Sequence, residues 1–201
     1  MITWNSNAFL THDPERAEEN ARVVEGWIKR HQFVILPEAH YTDARLATFL
    51  KRHQQFLGWG TAYGDPDKDH STGGLLILAS RRYVEESFLP PECKVVMQGR
   101  CMVLTMVSKS LPKATLQVVG VYGAAGPQGC AERRRLWGEL DRHILPEDQS
   151  QCWMAGGFNF VEMSKTVSIR LAGRATARML KSWLSFAGCV ITTTLVSWSS
   201  I

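Results

Sequence analysis

Four apolar runs in this chain each end on a polar or hydroxyl-bearing residue, and that punctuation limits the folds open to it. They are Ile2-Thr3-Trp4-Asn5-Ser6-Asn7, Phe33-Val34-Ile35-Leu36-Pro37-Glu38, Leu116-Gln117-Val118-Val119-Gly120-Val121-Tyr122 and Gln151-Cys152-Trp153-Met154-Ala155-Gly156-Gly157-Phe158-Asn159. Short apolar runs bounded by turn residues read as buried strands. The segments between them carry a helical period instead. Pro14, followed by Glu15, Glu18 and Glu19, opens a helix over about 14–31 with Val23, Val24, Trp27 and Ile28 on its apolar face. Thr42-Asp43 opens a second, with Leu46, Phe49 and Leu50 inward, ending near Gly58. A third covers 132–144, with Leu136, Trp137, Leu140 and Ile144 in register. Further strands are expected at 75–79, 94–97 and 102–107, and residues 58–74 read as loop. Such alternation predicts an α/β, or α+β layered, fold. Buried strands ending in Asn, Glu, Tyr and Asn can gather those groups on one rim, where ligands bind in open α/β sheets.

At 201 residues and 45% apolar composition, the chain suffices for one domain with a real core. No apolar run approaches the roughly 18 residues of a membrane span. Met1 leads directly into Ile-Thr-Trp without a basic region or a long apolar stretch, so a secretory leader is not expected. The five cysteines (93, 101, 130, 152 and 189) are odd in number and form no C-x-x-C. Reduced thiols in an intracellular setting, nucleus or cytoplasm, are therefore expected. Charge is unevenly placed. Residues 149–201 hold Lys165, Arg170, Arg174, Arg178 and Lys181 against Glu162 alone, which accounts for the whole net charge of +4. An expected helix at 166–187 sets Arg170, Arg174, Arg178 and Lys181 on one face, either a solvated stripe or a nucleic-acid contact. Val190–Trp198 reads as a β-branched strand.

Several familiar chemistries are excluded by spacing. Asp65, Asp67 and Asp69 imitate a calcium loop, but Pro66 interrupts it, His70 takes the glycine position and Leu76 the closing glutamate. Gly120, Gly123 and Gly126 lack the G-x-G step of a dinucleotide turn, and no P-loop or G-x-S-x-G elbow occurs. The histidines show no zinc spacing with the cysteines. What remains are the strand ends. Glu38, behind Pro37, is either a solvent-facing residue or a partly desolvated carboxylate in need of a cation or donor. Asn5 and Asn7, on a continuing strand, share a face and can orient a metal-bound carboxylate or a phosphate; they can equally be turn asparagines. Tyr122 is a phosphate donor or a strand-end aromatic.

Taken in order, Thr3-Trp4-Asn5-Ser6-Asn7, Leu36-Pro37-Glu38-Ala39-His40, Gly73-Gly74-Leu75-Leu76-Ile77-Leu78, Val119-Gly120-Val121-Tyr122 and Gly156-Gly157-Phe158-Asn159-Phe160-Val161 resemble the successive signatures of the endonuclease/exonuclease/phosphatase superfamily. The resemblance is greatest to the apurinic-type endonuclease domain of non-LTR retrotransposons. It implies a sandwich of mixed sheets flanked by helices over 1–162, followed by a divergent basic helix and strand over 163–201 that complete or replace the family's second half. It also implies a magnesium-dependent (or manganese-dependent) phosphodiesterase acting on DNA, with RNA as an alternative partner. Glu38 would then be the metal-binding carboxylate and Asn5 its neighbour at the metal. Asn7 would take the second acid or amide position of the first strand, Tyr122 would contact the scissile phosphate, and Asn159 would orient it or the attacking water.

Two departures bear on activity. Gly157 stands where the family carries aspartate, and a later Ser-Asp-His segment has no counterpart, since no Asp follows Asp148 and no His follows His143. The expectation is a C-terminally truncated domain whose hydrolysis is weak or lost. Its alternatives are a non-catalytic nucleic-acid-binding remnant or a phosphatase of the same superfamily.

Overall fold

The computed structural model describes residues 1–159 apart from Ser6, His12, 63–72, 112–113 and 147–149. Two four-stranded sheets lie face to face. The first has the order β1-β2-β4-β3, from β1 (Ile2–Thr3), β2 (Phe33–Pro37), β3 (Phe56–Thr61) and β4 (Leu75–Ser80). The second has the order β5-β6-β7-β8, from β5 (Glu92–Met97), β6 (Cys101–Val107), β7 (Thr115–Tyr122) and β8 (Ser150–Gly157). Helices α1 (Pro14–Ile28) and α2 (Asp43–Arg52) cover the outer face of the first sheet, and α4 (Cys130–Leu140) that of the second. A short α3 (Arg81–Ser87) follows β4.

Side-chain alternation explains why the strands look uniformly apolar. In β2 and β4, Phe33, Ile35, Leu75, Ile77 and Ala79 enter the layer between the sheets, where they meet Met102, Leu104, Met106, Leu116, Val118 and Ala155. Their neighbours Val34, Leu36, Leu76 and Leu78 point the other way, onto Ala21 and Val24 of α1 and Leu46 and Phe49 of α2. A strand covered on both faces has no polar side to alternate with. The second sheet repeats the arrangement, with Val103, Val119 and Val121 packed under Leu136, Trp137 and Leu140.

Helix starts are set locally. Asp13 accepts hydrogen bonds from the amides of Glu15 (3.0 Å) and Arg16 (3.3 Å), with Pro14 at the first position, where its missing N–H costs nothing. Thr42 caps α2 through the Arg45 amide. No helix among the described residues is long and apolar enough to cross a membrane, and the four described cysteines, Cys93, Cys101, Cys130 and Cys152, are free thiols.

Five sequence expectations are corrected. The stretch from 58 onward read as loop, yet β3 runs through Gly58-Trp59-Gly60, paired along its length with β4. Gly60 is there because Tyr41 is: a Cβ at 60 would lie 1.9 Å from the buried Tyr41 hydroxyl. Glycine in a strand marks such close approach as readily as a turn. Consequently α2 stops at Arg52 rather than near Gly58. The expected helices at 14–31 and 132–144 end earlier, at Ile28 and Leu140. Finally, β1 ends at Thr3, and Asn7 has φ +45°, so Asn5 and Asn7 do not share the face of a continuing strand. The expected helix at 166–187, the strand at 190–198 and the acidic loop residues Asp65, Asp67 and Asp69 lie outside the described residues.

The two glycines ending β8 differ sharply. Gly156 has φ +147°, and a Cβ there would stand 1.8 Å from the Val121 carbonyl oxygen. At Gly157 the nearest atoms, Pro37 Cβ and Cγ and Tyr122 Cδ2, would all be 3.5 Å from a Cβ, an ordinary contact. Replacing Gly156 by alanine should therefore destabilise the protein by on the order of 3 kcal/mol or more, whereas Gly157→Ala should stay within about 1 kcal/mol. Urea denaturation of the two variants measures both.

Candidate functional site

Parallel pairing sends β1 and β2 to one rim together, and β7 and β8 likewise, with Ile2 opposite Val34 and Tyr122 opposite Gly157. The ends of both pairs meet. Tyr122, last in β7, donates its hydroxyl to Glu38 Oε1 at 2.5 Å, across the gap between the sheets. Asn5 Nδ2 donates to the other carboxylate oxygen, Glu38 Oε2, at 2.9 Å. Asn5 Oδ1 in turn accepts the Asn7 amide at 3.1 Å, a side-chain turn that folds the chain back after β1. One half-buried carboxylate is thus held by a phenol from one sheet and an amide from the other.

The backbone beneath Glu38 is over-determined. Its φ of +54° lies in the left-handed region that non-glycine residues seldom occupy. Three hydrogen bonds hold the segment there: Ala8 N to Glu38 O at 3.0 Å, Ala39 N to Gly74 O at 3.3 Å, and His40 N to Gly73 O at 2.9 Å. Strain held in place by surrounding bonds is concentrated at ligand and active sites.

Burial is the first cause that pushes the Tyr122 phenol up to about 12, with the hydrogen bond and charge of Glu38 adding to it and nearby Arg100 opposing. The phenol is therefore a neutral donor throughout the neutral range. Arg100 stacks on the ring, with its guanidinium carbon 4.8 Å from the centroid. Nothing in the sequence reading pointed to this arginine; its one signal was its place after Gly99 in the turn between two expected strands.

The remaining candidates fall as follows. Asn7 reaches the rim through its main chain, its carbonyl accepting Arg16 Nη2 at 3.2 Å. Asn159 donates Nδ2 to the Gly123 carbonyl at 2.8 Å, and Gly123 N bonds Gly157 O at 2.7 Å, so the turns after β7 and β8 are tied together. That places Asn159 at the same rim, fastened on the Tyr122 side. Gly157 opens towards Pro37 and Tyr122. Arg170, Arg174, Arg178 and Lys181 lie outside the described residues.

As a cation site the rim is lean. Among the described residues no group of three or more His, Cys, Asp or Glu side chains gathers to hold a metal. The donors present are nevertheless hard oxygens, the Glu38 carboxylate and the Asn5 amide, and magnesium commonly takes one or two carboxylates and fills the rest of its shell with water or phosphate oxygen. The residues fit that ion in kind, at the minimum in number.

No protein-family model matches this sequence, and no curated protein matches it. Solved structures do match. An AP endonuclease from Leishmania major superposes with a TM-score of 0.62 at 12% identity, over 90% of this chain and 64% of the other. A D. rerio TDP2 complexed with a single-strand DNA product gives 0.50 at 15% identity, over 79% and 60%. An endonuclease/exonuclease/phosphatase family protein from Bacteroides thetaiotaomicron gives 0.51 at 12%, over 82% and 65%. The fold is that of the endonuclease/exonuclease/phosphatase proteins, as the order of motifs implied, and the chain spans less than two thirds of the length of these structures.

Burial of the Tyr122 phenol, together with its bond to Glu38, implies a pH dependence. Because the folded phenol lies above its usual value near 10, its contribution to stability is complete below pH 10 and disappears as pH rises through about 12. Tyr122→Phe should lack this alkaline phase and, with one carboxylate oxygen left without its donor, lose about 1–2 kcal/mol at pH 7. Denaturant midpoints between pH 7 and 12 for both proteins would show it.

Proposed function

We propose that this domain recognises phosphodiesters at the Asn5–Glu38–Tyr122 rim, and that its magnesium-dependent hydrolysis of DNA is weak or lost. The observation that carries the reading is the meeting of these three side chains across two sheets, beside a glycine at which a Cβ would make only ordinary contacts. The similarity to an AP endonuclease and to a TDP2 complexed with a DNA product supports nucleic acid as the ligand class.

The chemistry follows from charge. Glu38 alone repels a phosphate, and the Tyr122 hydroxyl, the natural donor to a phosphate oxygen, is engaged by that same carboxylate. A magnesium or manganese ion held by Glu38, with the Asn5 amide turned so that its oxygen rather than its NH2 faces the carboxylate, would reverse the local charge and polarise a phosphate oxygen. With its charge taken up by such an ion, Glu38 would leave the Tyr122 hydroxyl free to donate to a phosphate oxygen. Asn159, fixed to Gly123, would border that phosphate on the β8 side. A water must still lose a proton during hydrolysis, and at Gly157 there is no group to accept or direct it. Loss of one member of a cooperating site costs on the order of 10³-fold. A non-catalytic nucleic-acid-binding role is the second reading, and the same missing carboxylate favours it.

Supercoiled and abasic DNA with magnesium tests the first reading. Nicking should be slow or undetectable, and robust nicking abolished by Glu38→Ala would contradict it. Oligonucleotide titrations test the charge argument: binding by the parent protein should require magnesium, whereas Glu38→Gln should bind with or without it. Gly157→Asp should fold, tighten magnesium binding roughly tenfold, and restore little hydrolysis. If the parent and Glu38→Gln bind identically in chelator, the rim is not the phosphate site.

A further inference from the structure

Tyr122 is half-buried, its ring packed against the apolar layer between the sheets. A Cβ on Gly73 would stand 3.4 Å from its Cε1, and one on Gly157 3.5 Å from its Cδ2, so glycines border both long edges of the ring. Among the described residues, Arg100 lies over its face. This residue ends the turn between β5 and β6, where Gly99 has φ +66° and donates its amide to Thr61 Oγ1 at 2.9 Å, anchoring the turn to the first sheet. The Arg100 carbonyl accepts the Tyr122 amide at 2.7 Å, which registers the two residues directly. Its guanidinium lies 4.8 Å from the ring centroid, and Nε donates to Glu132 Oε1 at 2.8 Å. Both partners of that ion pair are largely shielded, with side chains 17% and 34% exposed, so it is less screened than a surface pair.

We propose that Arg100, anchored by Glu132 of α4, is a positioning residue that holds the Tyr122 ring so that its hydroxyl meets the phosphate bound at this rim. The proposal rests on the function given above, since it deepens the role of Tyr122. A planar guanidinium stacked on an aromatic face restrains the ring as a flexible ammonium does not.

Two readouts test it, one independent of activity. With ring-labelled tyrosine, and the Tyr122 signals assigned by Tyr122→Phe, Arg100→Met should shift the Tyr122 ring resonances while those of Tyr41 stay in place. Glu132→Gln should shift them in the same direction by a smaller amount, although Arg100 is still present. In magnesium, Arg100→Met should weaken a short DNA oligonucleotide about three- to tenfold, and Arg100→Lys should recover part of that loss. In a Tyr122→Phe background the same substitution should cost almost nothing, because Arg100 acts by placing the hydroxyl that phenylalanine lacks. Full additivity of the two substitutions, or unmoved Tyr122 signals in both Arg100→Met and Glu132→Gln, would overturn the proposal. Should Arg100→Met fail to fold, Glu132→Gln and Arg100→Lys decide between the same outcomes. If the parent binds no oligonucleotide while the ring signals still move, the positioning role stands and the phosphodiester reading falls.

Discussion

The hydrogen bond from Tyr122 to Glu38 joins, at the rim, two sheets whose shared interior is apolar. Along most of their length, β2 and β4 face β6, β7 and β8 through aliphatic and sulfur-containing side chains that carry no direction of their own. Hydrophobic contact is roughly proportional to area and tolerates sliding. A directional bond at the rim removes that freedom where it matters. The rim is arranged around it: Asn5 donates to the carboxylate from one side, Arg100 stacks on the phenol ring, and Gly73 and Gly157 border that ring. The left-handed backbone at Glu38 is held by the loops around it, so the carboxylate is presented by a rigid support.

Much of this was legible in the sequence, for a physical reason. Buried strands show as unbroken apolar runs, and a site at their ends shows as the residue that breaks each run. Glu38, Tyr122 and Asn5 were found that way, and the structure brings these three into contact. The order of the motifs pointed to the sandwich fold that the solved structures share. Helix starts were readable because Asp13-Pro14 and Thr42-Asp43 solve the unpaired-amide problem within a few residues.

What the sequence hid was non-local. β3 escaped because Gly58 and Gly60 resemble loop residues until the side chains pressing against them are known: Leu50 in one case and Tyr41 in the other. The seven residues of α3 are too few to establish a period. Asn7 was misplaced because a strand that stops after two residues cannot be told from one that runs on. Arg100 carried no signal beyond its place after Gly99, since its contact is with a ring twenty-two positions away in the chain that only the sheet places beneath it.

The paired glycines of β8 have a consequence for how such a domain changes over generations. At position 156 the polypeptide admits no alternative, for any side chain would collide with the neighbouring strand's carbonyl. One step further on, a methyl group would meet nothing closer than ordinary contact, so the backbone makes no such demand at 157. Tolerance to replacement thus changes abruptly between adjacent residues. A lineage must keep glycine at 156 to keep this sandwich, whereas the occupant of 157 can drift with the scaffold intact.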